Sequence, residues 1–323
     1  MTDIRTEAIT DAAAWRAETL VPDGSRFHLD AACRDELIRA AGELQANRLP
    51  VEALRPGHLD LSACDAVMAR IRRKLFEGVG FAILDRLPLD DLDEEIAVKL
   101  YWLLFSRVCR PVAQKWDGTM VYEVTDTGKQ DEPGNGVRSS KTKNGQYYHT
   151  DNAFNLPPDI VSLLCVQPAM TGGTSGLISM QTVFNILLAE HPEVIQRLYH
   201  RFYFDRQHEH APGDKRLAFN PICEPAERGV HIRFSRRLLE FGYELADGDM
   251  DDATRAAITS FGEILDRPGL GKAFTFERGQ VQLVNNRRLG HRREAYEDWP
   301  EPERKRRLIR LWGREAQRPF YLG

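Results

Sequence analysis

From residue 121 onward the chain breaks into short apolar runs, at 121–125, 146–151, 160–166, 177–179, 230–234, 281–285 and 308–312. Gly, Pro and Asn/Asp clusters separate them. That punctuation suits a core of short strands folded against one another, and it excludes a helical bundle for this part of the chain. The first stretch reads differently. Residues 31–44 and 64–76 carry apolar side chains at three- and four-residue spacing, the period of a helix with one buried face. Residues 90–108 resume that period after an acidic start, which favours a helix N-terminus. Between them, Gly78-Val79-Gly80 ends a helix and Phe81-Ala82-Ile83-Leu84 reads as a buried strand. Segments 192–201, 236–241 and 251–265 predict helices inserted among the strands or packed outside them.

Composition narrows the class. The 323 residues are 42% hydrophobic and 28% charged, enough for a sizeable core without covalent staples. A net charge of −4, with basic residues spread along the chain, gives no nucleic-acid footprint. Five cysteines, an odd number with no Cys-x-x-Cys pair, form neither a disulfide framework nor a zinc knuckle. No basic region followed by an apolar stretch opens the chain, and no apolar run nears the roughly 18 residues of a membrane span. A cytoplasmic protein acting on a small molecule is the expectation, with no membrane or nucleic-acid partner. Nothing in the chain speaks to its oligomeric state.

The chemistry concentrates in two separated places. At the end of a predicted strand stands His149-Thr150-Asp151. Residues two apart on a strand project from one face, so this imidazole and carboxylate can converge on one ion. Far downstream, Asn286-Arg287-Arg288-Leu289-Gly290-His291 follows the apolar run at 281–284 and offers a second imidazole. Two imidazoles and one carboxylate on one side of an iron(II) ion leave the other positions open for a cosubstrate and dioxygen. Arg306 and Arg310 come next and share a strand face. A planar guanidinium can hold a carboxylate through two parallel hydrogen bonds. Arg304, Lys305 and Arg307 read as a solvated edge.

The polar segment 126–145 immediately before the first histidine is long for a structureless loop and reads as a lid. His208-Glu209-His210 lies in a polar run ending at Pro212-Gly213 and reads as a solvated loop. His231 and Arg233 alternate on a strand and suit a core role, and His191 suits the start of a helix. Gln146, Tyr148, Asn152 and Phe154 flank the first two ligands. With Gln114 they are the candidate substrate contacts.

Taken in order, His149-Thr150-Asp151, the turn Gly172-Gly173-Thr174-Ser175, Asn286-Arg287-x-x-x-His291 and Arg306-x-x-x-Arg310 resemble the taurine dioxygenase and clavaminate synthase-like family. The likeness runs from about residue 81 to 320. It implies a mainly β fold, a double-stranded β-helix (jelly roll, cupin-like) core with flanking helices. Residues 81–323 would form that oxygenase domain, with the lid at about 126–145, and residues 1–80 a helical elaboration packed on it. It implies iron(II) held by His149, Asp151 and His291, with 2-oxoglutarate and O2 as cosubstrates. By motif position Arg306 matches the cosubstrate arginine and Arg310 a second arginine near cosubstrate or substrate, and the choice between them stays open. Thr174 or Ser175 would supply a hydroxyl to the cosubstrate carboxylate.

The reaction implied is hydroxylation of an unactivated C–H bond with release of succinate and CO2, or desaturation or oxidative cyclisation by the same iron chemistry. Asp151 itself argues against halogenation, because halogenating relatives carry a small residue there. The clavaminate-like branch points to an amino acid or amino-acid-derived metabolite, often in specialised metabolism. A small anionic substrate, as in the taurine branch, is the rival. A zinc hydrolase could use the same ligands, but zinc hydrolysis requires no arginine anchor. A non-catalytic jelly-roll binding protein would need neither.

Overall fold

Three helices form near the N-terminus, at Ala31–Ala46, Ser62–Phe76 and Glu94–Phe105. Asp30 caps the first by accepting from the Cys33 amide. The second begins after Leu61, which has no polar side chain to offer. Its cap comes instead from Glu36 of the first helix, whose carboxylate accepts from Ser62 Oγ at 3.1 Å, Ala63 N at 2.8 Å and Cys64 N at 3.1 Å. The third starts later than its acidic run suggested, after Asp93, because residues 89–92 are spent in a turn. This computed structural model describes residues 4–130, 132, 135–246, 248 and 250–316.

The apolar faces of these helices share one core with the outer face of the main sheet. Leu37, Ile71, Leu75 and Leu104 meet Leu84, Leu164, Leu283 and Leu311 there. That sheet runs in the order Arg26–His28, Phe81–Asp85, Val281–Asn285, Ile160–Gln167, Arg307–Arg314 and Arg110–Val112, with Tyr122–Val124 also paired to Arg307–Arg314. Residues before position 80 thus add a strand as well as helices, since Arg26–His28 lies parallel to Phe81–Asp85. The near-continuous apolar run Ile160–Gln167 is explained by its central place: it is paired on both edges and covered on both faces.

A second sheet of four strands runs Lys272–Phe274, Ser175–Ser179, Leu289–Arg293 and Gln146–His149. Its helical cover, including Met180–Glu190, Pro192–Leu198 and Asp252–Leu265, builds a separate core around Phe184, Leu198 and Phe261. The Met180–Glu190 helix turns its polar side inward rather than to water: Gln181 donates to Val230 O, Thr182 to Trp15 O and Asn185 to Ile9 O. Ser179 starts it, accepting from Thr182 N at 3.0 Å. Among the described residues there are seven α-helices, and none is long and apolar enough to cross a membrane. All five cysteines are buried and free.

One loop departs from its sequence reading. The 206–215 loop, expected to be solvated, sits at the tip of the hairpin Arg201–Asp205 and Leu217–Pro221. It buries Arg206 and Glu209. The Glu209 carboxylate meets the Arg138 guanidinium at 2.6 Å with both side chains shielded, so this charge is paired rather than hydrated. Arg138 belongs to the 126–145 segment. That segment also buries Ser140 and Thr142 and contains the 3-10 turn Ser139–Lys141.

Candidate metal centre

The second sheet places both histidines. His291 of Leu289–Arg293 pairs directly with His149 of Gln146–His149 across an antiparallel ladder. Side chains of facing residues share a side of the sheet, and the two rings lie 4.3 Å apart between centroids. Asp151 follows the end of its strand and is pinned by Asn286, whose Oδ1 accepts from Asp151 N at 2.7 Å and whose Nδ2 donates to Asp151 O at 3.0 Å. Thr150 between the ligands is tied to Phe234 through both its amide and its hydroxyl. The result is that His149, Asp151 and His291 offer ligand atoms all within 4.8 Å of one another.

The orientation of each donor fits a metal. His149 Nδ1 lies 2.8 Å from Tyr147 O, which fixes the ring and leaves Nε2 for the centre. Nε2 of His149 and of His291 lie 3.7 and 3.5 Å from Asp151 Oδ1. The other oxygen, Oδ2, is already engaged: Trp312 Nε1 donates to it at 2.8 Å and Arg310 Nη1 lies 3.0 Å away. One carboxylate oxygen and two imidazole nitrogens therefore face a common point, the donor set expected for a non-haem iron(II). Burial alone would raise the Asp151 pKa. The Arg310 charge, with the two adjacent imidazoles, outweighs it and holds the carboxyl well below the usual range. Burial, then the neighbouring His149, pushes the His291 imidazole down, toward the neutral form that ligates metals.

Arg306 and Arg310 both border the cavity containing these ligands, together with Ser175, Leu163 and Leu308. Their circumstances differ. Arg310 is engaged within the protein, its Nη1 by Asp151 and its Nε by Gln114 Oε1, which accepts at 2.8 Å. Arg306 is equally buried, yet its Nη1 has no partner. The Gly172-Gly173 turn passes close by. Both glycines adopt positive φ, and a side chain on Gly172 would come within 2.6 Å of Ala295 O. Of the two hydroxyls after it, Ser175 borders the cavity and Thr174 does not.

The remaining expected contacts scatter. Gln146 borders both this cavity and a neighbouring one. Gln114 is fully buried, and its Nε2 donates to Met120 O and to Arg310 O, both at 2.7 Å. Its amide is spent on holding Arg310. Tyr148 packs in the core of the second sheet and also borders the neighbouring cavity, whereas Phe154 lies in that core. Asn152 takes a left-handed conformation in the turn after Asp151 and donates to Leu156 O at 2.8 Å. His231 lies beside Glu224, whose carboxylate is shared by Arg233 at 2.8 Å and Arg287 at 2.7 Å, away from the ligands. Nothing in the sequence singles out Trp312 or Asn286 as partners of the carboxylate. Their only signal was adjacency to the arginine and histidine motifs.

The family model for the taurine catabolism dioxygenases, the TauD, TfdA family, matches residues 48–312. The chain belongs to this family. It is an iron(II)- and 2-oxoglutarate-dependent oxygenase. An FR-33289 synthase from Streptomyces rubellomurinus is 27% identical over 317 residues, covering 97% of this chain and 92% of the relative. A uridine-5'-phosphate dioxygenase from a Streptomyces species is 29% identical over 197 residues, covering 60% of this chain and 69% of that protein. The fold is shared with an asparagine oxygenase solved with Fe(II), 3-hydroxyasparagine and succinate, at a TM-score of 0.66 and 17% identity, over 90% of this chain and 94% of that one. The non-haem iron oxygenase OrfP, solved with Fe and alpha-ketoglutaric acid, aligns at a TM-score of 0.65 and 16% identity over the same shares.

Proposed function

We propose that this TauD/TfdA-family oxygenase hydroxylates an unactivated C–H bond of an amino acid or an amino-acid-derived metabolite, using iron held by His149, Asp151 and His291. The observation that carries the assignment is the division of labour at Asp151. One oxygen faces the two imidazole nitrogens, and the other is taken by Trp312 and Arg310. When bound, iron and 2-oxoglutarate supply the oxidising power, as the oxo acid and dioxygen become succinate and CO2 and one oxygen atom passes to the substrate.

The protein's own contribution is placement. Arg306 is the anchor for the remote carboxylate of 2-oxoglutarate, supported by its buried, unpartnered Nη1 and by the Ser175 hydroxyl in the same cavity. Arg310 serves the iron carboxylate instead. Beside His149 opens a second cavity of about 330 Å³ between the 139–149 region and the helix Arg236–Leu245. Its lining includes Gln146, Tyr147, Gln207, Arg237 and Glu240. Arg237 and Glu240 put both signs of charge on a wall that is otherwise largely apolar, which suits a small zwitterion with a carbon side chain, and the volume is at the lower end of the range for small-molecule sites, about 300–1,000 Å³. The named substrates of the structural relatives, asparagine and arginine, are of this class.

Two further readings concern architecture. The two sheets, with the ligand cavity between them, support a jelly-roll core for residues 81–316 and an N-terminal elaboration for residues 4–80; the ends of the two expected units, 1–3 and 317–323, lie outside the described residues. The 126–145 segment serves as a lid, a role supported by Ser140 on the inner cavity and Ser139 on the outer one. The test is a succinate-release assay across amino acids and their conjugates, with mass spectrometry of each product. A substrate that gains one oxygen atom in proportion to succinate is the expected result. Release of succinate without any modified amino acid in a broad panel would sink the substrate assignment.

A further inference from the structure

Gln282 lies on the strand Val281–Asn285 and is 2% exposed. It faces Leu163 across one ladder, and Leu163 faces Arg310 across the next. The three therefore form one row over three adjacent strands, and all three border the cavity that holds His149, Asp151 and His291. Valine or leucine would fill such a position in a buried strand at no polar cost. A buried amide is costly unless it is hydrogen-bonded. Yet the Nε2 of Gln282 has no partner within the protein. Arg306 Nη1, a donor on the same cavity, is in the same condition.

A carboxylate is the complement of two such donors. It accepts through two oxygens, each with room for more than one hydrogen bond. At the metal end, the Arg310 and Trp312 donors are already committed to Asp151 and Gln114. The unpartnered donors of Gln282 and Arg306 border the same cavity and are left for the remaining carboxylate of the cosubstrate.

We infer that Gln282 is a cosubstrate-binding residue, its amide nitrogen donating to the remote carboxylate of 2-oxoglutarate beside Arg306. This rests on the reading of Arg306 as the anchor. A neutral donor adds discrimination without a second full charge: an oxo acid that lacks the remote carboxylate leaves both the amide and the guanidinium unpaired in a buried place. Gln282 thereby selects the dicarboxylic oxo acid over its monocarboxylic analogues.

Calorimetric titration of the anaerobic Fe(II)-loaded enzyme tests this without turnover. The ligands are 2-oxoglutarate and 2-oxovalerate, which keeps the chain length and loses the remote carboxylate. Gln282→Leu is expected to weaken 2-oxoglutarate by roughly ten-fold or more, as for loss of a hydrogen bond to a charged group, and to leave 2-oxovalerate unchanged. Gln282→Glu is expected to weaken 2-oxoglutarate further, through repulsion between carboxylates, and it serves if the leucine variant fails to fold. Parent-like affinity for 2-oxoglutarate in Gln282→Leu, or equal weakening of both ligands, overturns the inference. Arg306→Ala separates the two readings. If it loses 2-oxoglutarate affinity while Gln282→Leu does not, Gln282 alone is wrong. If it retains affinity, the anchor itself is wrong and Gln282 falls with it.

Discussion

The indole Nε1 of Trp312 donates to Asp151 Oδ2 at 2.8 Å, so a residue from the main sheet orients the candidate ligand that follows a strand of the second. Groups that orient a ligand in this way are commonly worth 10- to 100-fold in metal affinity or activity, by roughly that order. Trp312→Phe keeps the ring and removes the donor. We predict weaker iron binding and lower turnover by about that factor, measured by competition with a chelator and by succinate release. Parent-like values for both would show that Arg310 alone fixes the carboxylate.

Asp151 and Arg306 should fail in different ways. Asp151→Ala removes the carboxylate and is expected to abolish coupled turnover. Arg306→Ala is expected chiefly to raise the 2-oxoglutarate concentration needed, and Arg306→Lys to recover part of it, since an ammonium cannot reproduce the paired hydrogen bonds. Normal coupled activity in Asp151→Ala would remove the assigned ligand from consideration.

Gln114 acts through Arg310. Gln114→Leu deprives the buried Arg310 Nε of its acceptor. The predicted cost is about 1–3 kcal/mol of stability, with a lower kcat as Arg310 shifts against Asp151. The KM for 2-oxoglutarate should stay near the parent value, because Arg306 is untouched. A rise in that KM equal to the fall in kcat would contradict the separation of the two arginines.

How much of this was legible beforehand follows from what each residue needs. His149 and Asp151 could be paired from the sequence because strand alternation puts positions two apart on one side. That His291 faces His149 could not, since the register of distant strands depends on the whole sheet. The 206–215 loop misled because a run of polar residues looks alike whether water or a buried counter-charge satisfies it. Glu209 is buried only because Arg138, far away in sequence, arrives to meet it. Gln114 and Gln282 are both buried glutamines, and nothing local distinguishes the one that is fully bonded from the one that is not.

The Arg138–Glu209 pair ties two loops together. Removing one member of a shielded pair strands the other, at a cost on the order of 3–5 kcal/mol. Arg138→Met and Glu209→Leu are each expected to lower the urea midpoint strongly, and the double variant to lose less than the sum of the two. Strict additivity would mean that the contact contributes nothing of its own.

Acid sensitivity should trace to the Glu224 cluster. Burial, reinforced by the Arg287 charge, pushes the His231 imidazole down to about 4 from its ordinary 6.5. Between those values the unfolded chain takes up a proton that the folded chain refuses. Stability therefore falls as the pH drops through this window, by about 3 kcal/mol in all. Glu224 acts in the same direction. Burial would raise its pKa, but Arg233 and Arg287 hold it below the usual range, so its stabilisation is lost as the pH falls through the folded value. Urea midpoints of His231→Gln, measured in steps from neutral to acid pH, should show a flatter slope above about 4 than the parent. An unchanged slope would clear His231 of any part in it.

The ladder that sets His291 opposite His149 also has a bearing on how such a chain can change over time. The helices and hairpins between residues 180 and 271 leave and rejoin the same small sheet, so insertions or deletions among them can reshape the cavity beside His149 while the pairing of the two histidines stays fixed. A slip of one residue in that ladder would do the opposite. It would turn an imidazole to the far side and silence the enzyme with every ligand still present in the sequence.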